Sequence, residues 1–123
     1  MRFLVILSLV LCTSCFQQTR LCEDYRTGTF KSQAVIGDQV LETVFIRTDS
    51  LEIDIFKGVA DTSSVRWLND CEYILTRLNP KNREETKSIH IKILTTDINS
   101  YVFEYKLVGG TQSERATAFR VEE

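Results

Sequence analysis

The chain has 123 residues, a net charge of −2 and 43% apolar side chains, which is typical of one small globular domain. This mildly acidic balance gives no electrostatic basis for binding nucleic acid, so we expect no nucleic-acid partner. The sequence contains no phosphate-binding loop, no Gly-x-Ser-x-Gly elbow and no cofactor motif. Its one histidine, His90, falls on the polar face of a predicted strand. We therefore predict no catalytic, metal or cofactor site.

The N-terminus has the pattern of a secretory signal peptide. A positive Arg2 is followed by an apolar run over residues 3–11, in which Ser8 is the one polar residue. A stretch of nine residues is too short to cross about 30 Å of hydrocarbon as a helix. The alternative is a buried N-terminal helix or strand, but such an element rarely ends in small residues beside a cysteine.

The residues after this run resemble the lipobox of bacterial lipoproteins. Thr13 and Ser14 are small and precede Cys15, while Cys12 stands where leucine is usual. The resemblance implies a signal peptide over 1–14 and lipidation of Cys15. The polar, aperiodic residues that follow predict a tether over 15–24, and the length and strand pattern predict a single β domain over 25–123. The mature chain would keep 109 residues with a net charge of −3. It would be anchored in the cell envelope, at the outer membrane facing the periplasm.

Two cysteines remain once Cys12 is removed and Cys15 is acylated. A leftover pair in an exported protein predicts a disulfide, here between Cys22 and Cys71. Closing a loop of about 50 residues would restrict the unfolded chain by on the order of 4 kcal/mol. Two free buried thiols, or a bridge between two molecules, are the alternatives.

Three strands are predicted in the first half of the domain, over residues 27–35, 40–47 and 51–56. The third strand alternates strictly, with Leu51, Ile53 and Ile55 on one face, which predicts a half-buried strand with one wet face. Glu52 and Asp54 share the other face, as a carboxylate pair would, although solvation of that face explains them as well.

The second half begins with a polar connection over 57–64, followed by Trp67 and a turn at 68–70. A long strand is predicted over 71–78, with apolar groups on both faces and Asn79-Pro80 at its end. Residues 81–87 are charged and predict a solvated loop. The last strands are predicted over 89–93, 101–107 and 116–121, which makes seven strands in all.

Seven strands with short turns and no helix beyond the signal segment predict an all-β antiparallel meander. A flat sheet of this size would leave exposed edges and one bare apolar face. We therefore expect it to curl into a small barrel or half-barrel.

The mature chain also resembles a family of small exported lipoproteins from Bacteroidota-type bacteria. The matching stretches are residues 26–30, 61–64, 67–73 and 78–80. This resemblance implies export and lipidation but no activity. Some such proteins carry the label DNA topoisomerase IV, which the signal peptide, small size, negative charge and missing ATP-binding or DNA-cleavage motifs do not support.

A second resemblance is to lipocalin-like barrels, which begin with Gly-x-Trp on their first strand and end with an arginine packed over it. Gly28, Phe30 and Arg120 occupy the corresponding places, with phenylalanine in place of tryptophan. The resemblance implies a contact between Phe30 and Arg120. The alternative is a core phenylalanine and a solvated arginine.

Two classes of function follow. The first is a lipid-anchored binding module for a small apolar ligand or an envelope protein. The second is an accessory or inhibitory subunit of an envelope complex. A hollow barrel would favour small-ligand binding, and a filled barrel would favour the subunit. The candidate pocket residues are aromatic, namely Trp67, Tyr73, Tyr101, Phe103 and Tyr105.

Overall fold

The computed structural model describes residues 20–121, which form a closed antiparallel barrel of eight strands. Each strand pairs with the next, and β8 pairs with β1, so no edge is left open. The strands are β1 (Gly28–Ile36), β2 (Gln39–Arg47), β3 (Leu51–Phe56), β4 (Val59–Asn69), β5 (Glu72–Arg77), β6 (Ile89–Thr96), β7 (Ser100–Leu107) and β8 (Ser113–Arg120). The prediction of an all-β antiparallel barrel is confirmed. The predicted signal segment and Cys15 lie outside the described residues.

Single 3-10 turns at Cys22–Tyr25 and Glu84–Thr86 are the helical elements of the described residues. None of the helices within residues 20–121 has the length and apolar character needed to cross a membrane.

The predicted polar connection over 57–64 is wrong, because most of it belongs to β4. Only Lys57 and Gly58 form a turn, and both have positive φ angles, as a two-residue hairpin turn requires. Ser63 and Val65 of β4 both face the interior and are buried, so the inward face of this strand mixes polar and apolar side chains. Residues 59–64 alone contain too few apolar side chains to show a clear alternation, which is why this part of the strand was missed.

The acidic face of β3 points into the barrel, which is the reverse of the orientation expected if its carboxylates were solvated. Glu52 is 4% exposed and faces the interior, whereas Leu51 is 39% exposed on the outside. The register explains this inversion, because Arg47 of β2 stands directly opposite Glu52 and supplies a buried counter-charge. The alternation was predicted correctly, but the interior face of this strand is the acidic one.

The two ends of the barrel differ, and we name them the floor and the mouth. The floor carries the N-terminal 3-10 turn and the turns at 48–50, 70–71 and 97–99. The mouth carries the turns at 37–38, 57–58, 78–88 and 108–112. A disulfide joins Cys22 to Cys71 with 5.2 Å between the Cα atoms, and it fastens the N-terminal turn to the β4–β5 turn. The predicted intramolecular bridge is therefore present.

The core of the floor is aromatic. Phe30, Tyr25 and Tyr101 are almost fully buried, and their rings lie 5.0–6.1 Å apart. The guanidinium of Arg120 lies 5.2 Å from the Phe30 ring, which is the contact that the lipocalin resemblance implied. A Cβ atom on Gly28 would lie 2.8 Å from a guanidinium nitrogen of Arg120, and φ is +139° there, so glycine is needed at this position.

Candidate functional site

The barrel interior between floor and mouth is hollow. Its cavity has a volume of about 470 Å³, within the range of roughly 300–1,000 Å³ that small-molecule sites occupy. All eight strands contribute to its wall. The lining residues are Ser32, Ala34, Leu41, Thr43, Phe45, Glu52, Asp54, Phe56, Asp61, Tyr73, Leu75, Arg77, Ile89, Ile91, Phe103, Tyr105 and Ala116.

The cavity wall has an apolar side and a polar side. The apolar side is built mainly by β6, β7 and β8, where Ile91 is buried and Phe103 and Tyr105 stand 5.8 Å apart between ring centroids. The polar side is built by β3, β4 and β5, which contribute three carboxyl groups and one guanidinium. These are the side chains of Glu52, Asp54, Asp61 and Arg77. An amphipathic molecule would meet both kinds of surface.

The five aromatic residues predicted for a pocket divide between the cavity and the floor. Tyr73, Phe103 and Tyr105 line the cavity. Tyr101 lies below it in the buried core of the floor, with its ring 5.7 Å from that of Phe103. Trp67 also lies at the floor, 4.5 Å from the Tyr73 ring, and its buried indole nitrogen has no hydrogen-bond partner within residues 20–121.

A buried arginine separates the cavity from the floor. Arg47 is 1% exposed and donates hydrogen bonds to Glu52 at 2.9 Å, to the Tyr73 hydroxyl at 2.8 Å and to the Tyr101 hydroxyl at 3.1 Å. It also donates to the backbone carbonyl of Tyr25 at 2.6 Å. Burial raises the pKa of both Tyr73 and Tyr101, so their hydroxyls stay neutral and accept from the guanidinium. Sequence reasoning missed this network because Arg47 looked like the last residue of an ordinary strand.

Asp54 is the carboxyl group whose surroundings are least favourable for a negative charge. Its pKa is raised to about 8, first by burial and then by the charge of Glu52 and a hydrogen bond with that side chain, while Arg47 and Arg77 oppose the shift. Asp54 has no ion-pair partner among residues 20–121. At neutral pH the empty cavity therefore holds Asp54 mainly in its protonated form.

The second arginine of the interior is already paired at the mouth. Arg77 lies 4.0 Å from a carboxylate oxygen of Asp61 and forms a closer ion pair with Glu85. The two guanidiniums in and below the cavity are thus both paired with carboxylates.

A sequence signal for the inward acidic face was available in Phe56, an aromatic residue on the same side of β3 as Glu52 and Asp54.

The remaining candidates for chemistry lie apart from the cavity. His90 faces outward, where its ring nitrogen is 3.9 Å from a carboxylate oxygen of Glu72. Over residues 20–121, no three or more His, Cys, Asp or Glu side chains are grouped so that they could hold a metal ion. Asn69 accepts a hydrogen bond from the backbone amide of Cys71 and so shapes the β4–β5 turn.

No protein-family model, curated protein or solved structure matches the chain.

Proposed function

We propose that this chain is a lipid-anchored protein of the cell envelope whose barrel binds a small, largely apolar molecule. The observation that carries the binding proposal is the hollow interior of about 470 Å³. Apolar ligand surface that packs against the aromatic and aliphatic side of the cavity is removed from water, which favours binding by about 25 cal/mol for each Å² buried. Its few polar groups can fix the orientation of the ligand.

The sequence supports the envelope location. The positive Arg2, the apolar run over 3–11 and the small residues before Cys15 indicate export and lipidation. The Cys22–Cys71 disulfide is consistent with an oxidising compartment such as the periplasm. The resemblance to small exported lipoproteins points the same way.

An accessory or inhibitory subunit of an envelope complex is the alternative. In that role the barrel would be a rigid support for the loops that contact the complex, and side chains would be expected to fill the barrel interior. Side chains fill only the floor end here, so ligand binding is the better account of the cavity.

Nile red, a neutral dye that fluoresces in apolar surroundings, tests the binding proposal. We expect a saturable fluorescence increase at one dye per chain. Ala116→Trp places an indole in the cavity and should abolish the increase. Thr117→Trp, one residue along β8 on the outer face, is the matched control and should leave it unchanged. Circular dichroism shows whether both variants keep the barrel.

A dye response that is not saturable would contradict the proposal. An equal response in the two tryptophan variants would also contradict it, since the dye would then bind outside the cavity.

A further inference from the structure

We propose that the molecule bound in this barrel carries a protonated amine on an apolar body, and that Asp54 supplies its counter-charge. This inference rests on the proposed ligand-binding function and specifies the chemical class of the ligand. It comes from the shape of the cavity together with the balance of charges on its wall.

The charge balance favours a cation. Three carboxyl groups, those of Glu52, Asp54 and Asp61, line the cavity, whereas Arg77 is the one basic side chain in its wall. Arg77 is held by Asp61 and Glu85 at the mouth. Arg47, just beneath the cavity, is held by Glu52. Within residues 20–121, Asp54 is thus the ionisable group of the interior that lacks an ion-pair partner.

The position of Asp54 suits an amine head group. It lies on β3 between Glu52 and Phe56, opposite Phe45 of β2 and Asp61 of β4 in the register. Aromatic rings therefore neighbour the carboxyl group on two sides. Ring faces attract a cation, particularly where water is excluded. The apolar body of the ligand would extend towards the wall formed by β6, β7 and β8.

An anionic head group is disfavoured by the same arrangement. A carboxylate or phosphate in the cavity would approach three carboxyl groups. It would also have to take Arg77 from its two partners or reach Arg47, which is 1% exposed below the cavity. A neutral ligand could share a hydrogen bond with protonated Asp54 but would gain no charge–charge attraction from it.

Binding of an amine would also move a proton. The groups that face Asp54 are Glu52 on its own strand, Arg47 on β2, Asp61 on β4, and Tyr73 and Arg77 on β5. In the empty barrel burial and Glu52 keep Asp54 protonated near neutral pH. An ammonium group beside it favours the ionised form, so the proton of Asp54 leaves to solvent as the ion pair forms.

Three probes with one skeleton test the inference: phenylbutylamine, phenylbutanol and phenylbutanoate. Calorimetric titration of the purified protein should show that the amine binds about ten-fold or more tightly than the alcohol. The reason is that a hydrogen bond between charged groups contributes more free energy than a hydrogen bond between neutral groups. The carboxylate should bind more weakly than the alcohol. In buffers of different ionisation enthalpy at about pH 6, amine binding should release close to one proton per ligand.

Asp54→Asn should reduce amine affinity to that of the alcohol and abolish proton release, while alcohol binding stays unchanged. The matched control is Asp49→Asn, the same chemical change in the β2–β3 turn, where the side chain is 84% exposed. This control should bind all three probes as the unaltered protein does. The comparison of the three probes on the unaltered protein requires no variant, so it decides the matter even if Asp54→Asn does not fold.

Equal affinity for amine and alcohol, or a preference for the carboxylate, would overturn the inference while leaving ligand binding intact. Failure of all three probes would also overturn it, and the Nile red experiment would then decide separately whether the cavity binds apolar molecules at all.

Discussion

Arg47 and Glu52, the last residue of β2 and the second residue of β3, form an ion pair of 2.9 Å in which both side chains are almost completely shielded from water. The pair closes the lower end of the cavity. Because the guanidinium also donates to the hydroxyls of Tyr73 and Tyr101, it links the acidic wall of the barrel to its aromatic floor.

Removing the arginine alone should be strongly destabilising. Arg47→Met would leave Glu52 buried without its counter-charge and leave two tyrosine hydroxyls with fewer partners. We expect a loss of about 3–5 kcal/mol in the free energy of unfolding, measured by urea denaturation. The double variant Arg47→Met/Glu52→Gln removes the orphaned charge and should recover part of the loss. A single variant that costs less than about 1 kcal/mol would show that water reaches the floor.

The disulfide should contribute to stability rather than to any reaction. Cys22 and Cys71 are 49 residues apart in the chain, and the bond ties the entering segment to the floor. Cys22→Ser should lower the free energy of unfolding by about 2–5 kcal/mol without changing the far-ultraviolet circular dichroism spectrum. Alkylation of the unreduced protein followed by mass spectrometry is the companion measurement. Two alkylated thiols would refute the bond.

The stability of the barrel should depend on pH through Asp54. Its pKa is 3.8 in the reference state and about 8 in the folded barrel, so folding favours the protonated form. Below about pH 4 the carboxyl is protonated in both the folded and the unfolded state, so its ionisation does not affect the free energy of unfolding. As the pH rises towards 8, the unfolded state releases the proton while the folded state keeps it, and the free energy of unfolding therefore falls. Burial and Glu52 cause this shift, Arg47 and Arg77 oppose it, and Asp61 and Tyr73 also face the group.

Asp54→Asn should therefore become progressively more stable than the unaltered protein between about pH 4 and pH 8. Each pKa unit corresponds to about 1.4 kcal/mol, so the total difference is on the order of a few kcal/mol. Urea denaturation across this range measures it. Asp49→Asn, on the exposed β2–β3 turn, should show a small difference that does not grow with pH. A constant difference for Asp54→Asn would mean that the carboxyl is ionised in the folded barrel.

Cys15 should be the site of lipidation. Cells that produce the protein and are fed an alkyne-bearing fatty acid should label the unaltered chain. Cys12→Ala, which changes the neighbouring cysteine, should be labelled as well. Cys15→Ala should lose the label and the membrane association together, because acyl chains add about 0.8 kcal/mol per buried CH₂. Undiminished labelling of Cys15→Ala would place the lipid elsewhere.

Much of the barrel could be predicted because most of its strands alternate in the usual way. In β6, Ile91 and Ile93 are buried as their spacing indicates, and in β7 Tyr101 faces inward while Glu104 pairs with Arg115 on the outside. The disulfide followed from counting the cysteines of a chain that was expected to be exported. These features depend on local pattern and on composition, both of which a single sequence contains.

The acidic half of the cavity could not be predicted, because it depends on a contact between strands. Whether Glu52 faces solvent or the interior is decided by Arg47, which lies across the sheet, and alternation within β3 is the same in both cases. β4 was missed for a related reason. Its inward Ser63 packs in an interior that is itself partly polar, so the usual contrast between apolar and polar faces is lost.

The described N-terminal segment enters the barrel at the floor, the end opposite the mouth. Residue 20 is held at the floor, where Arg20 donates to the carbonyl of Ile93 and the amide of Leu21 to Thr96. The buried Arg47 and its tyrosines block passage through that end. The cavity is therefore closed at the floor, so a proposed ligand would have to enter and leave through the mouth. Under the proposed lipidation of Cys15, the anchor would join the barrel at its floor, and the mouth would be the end farther from the point of attachment.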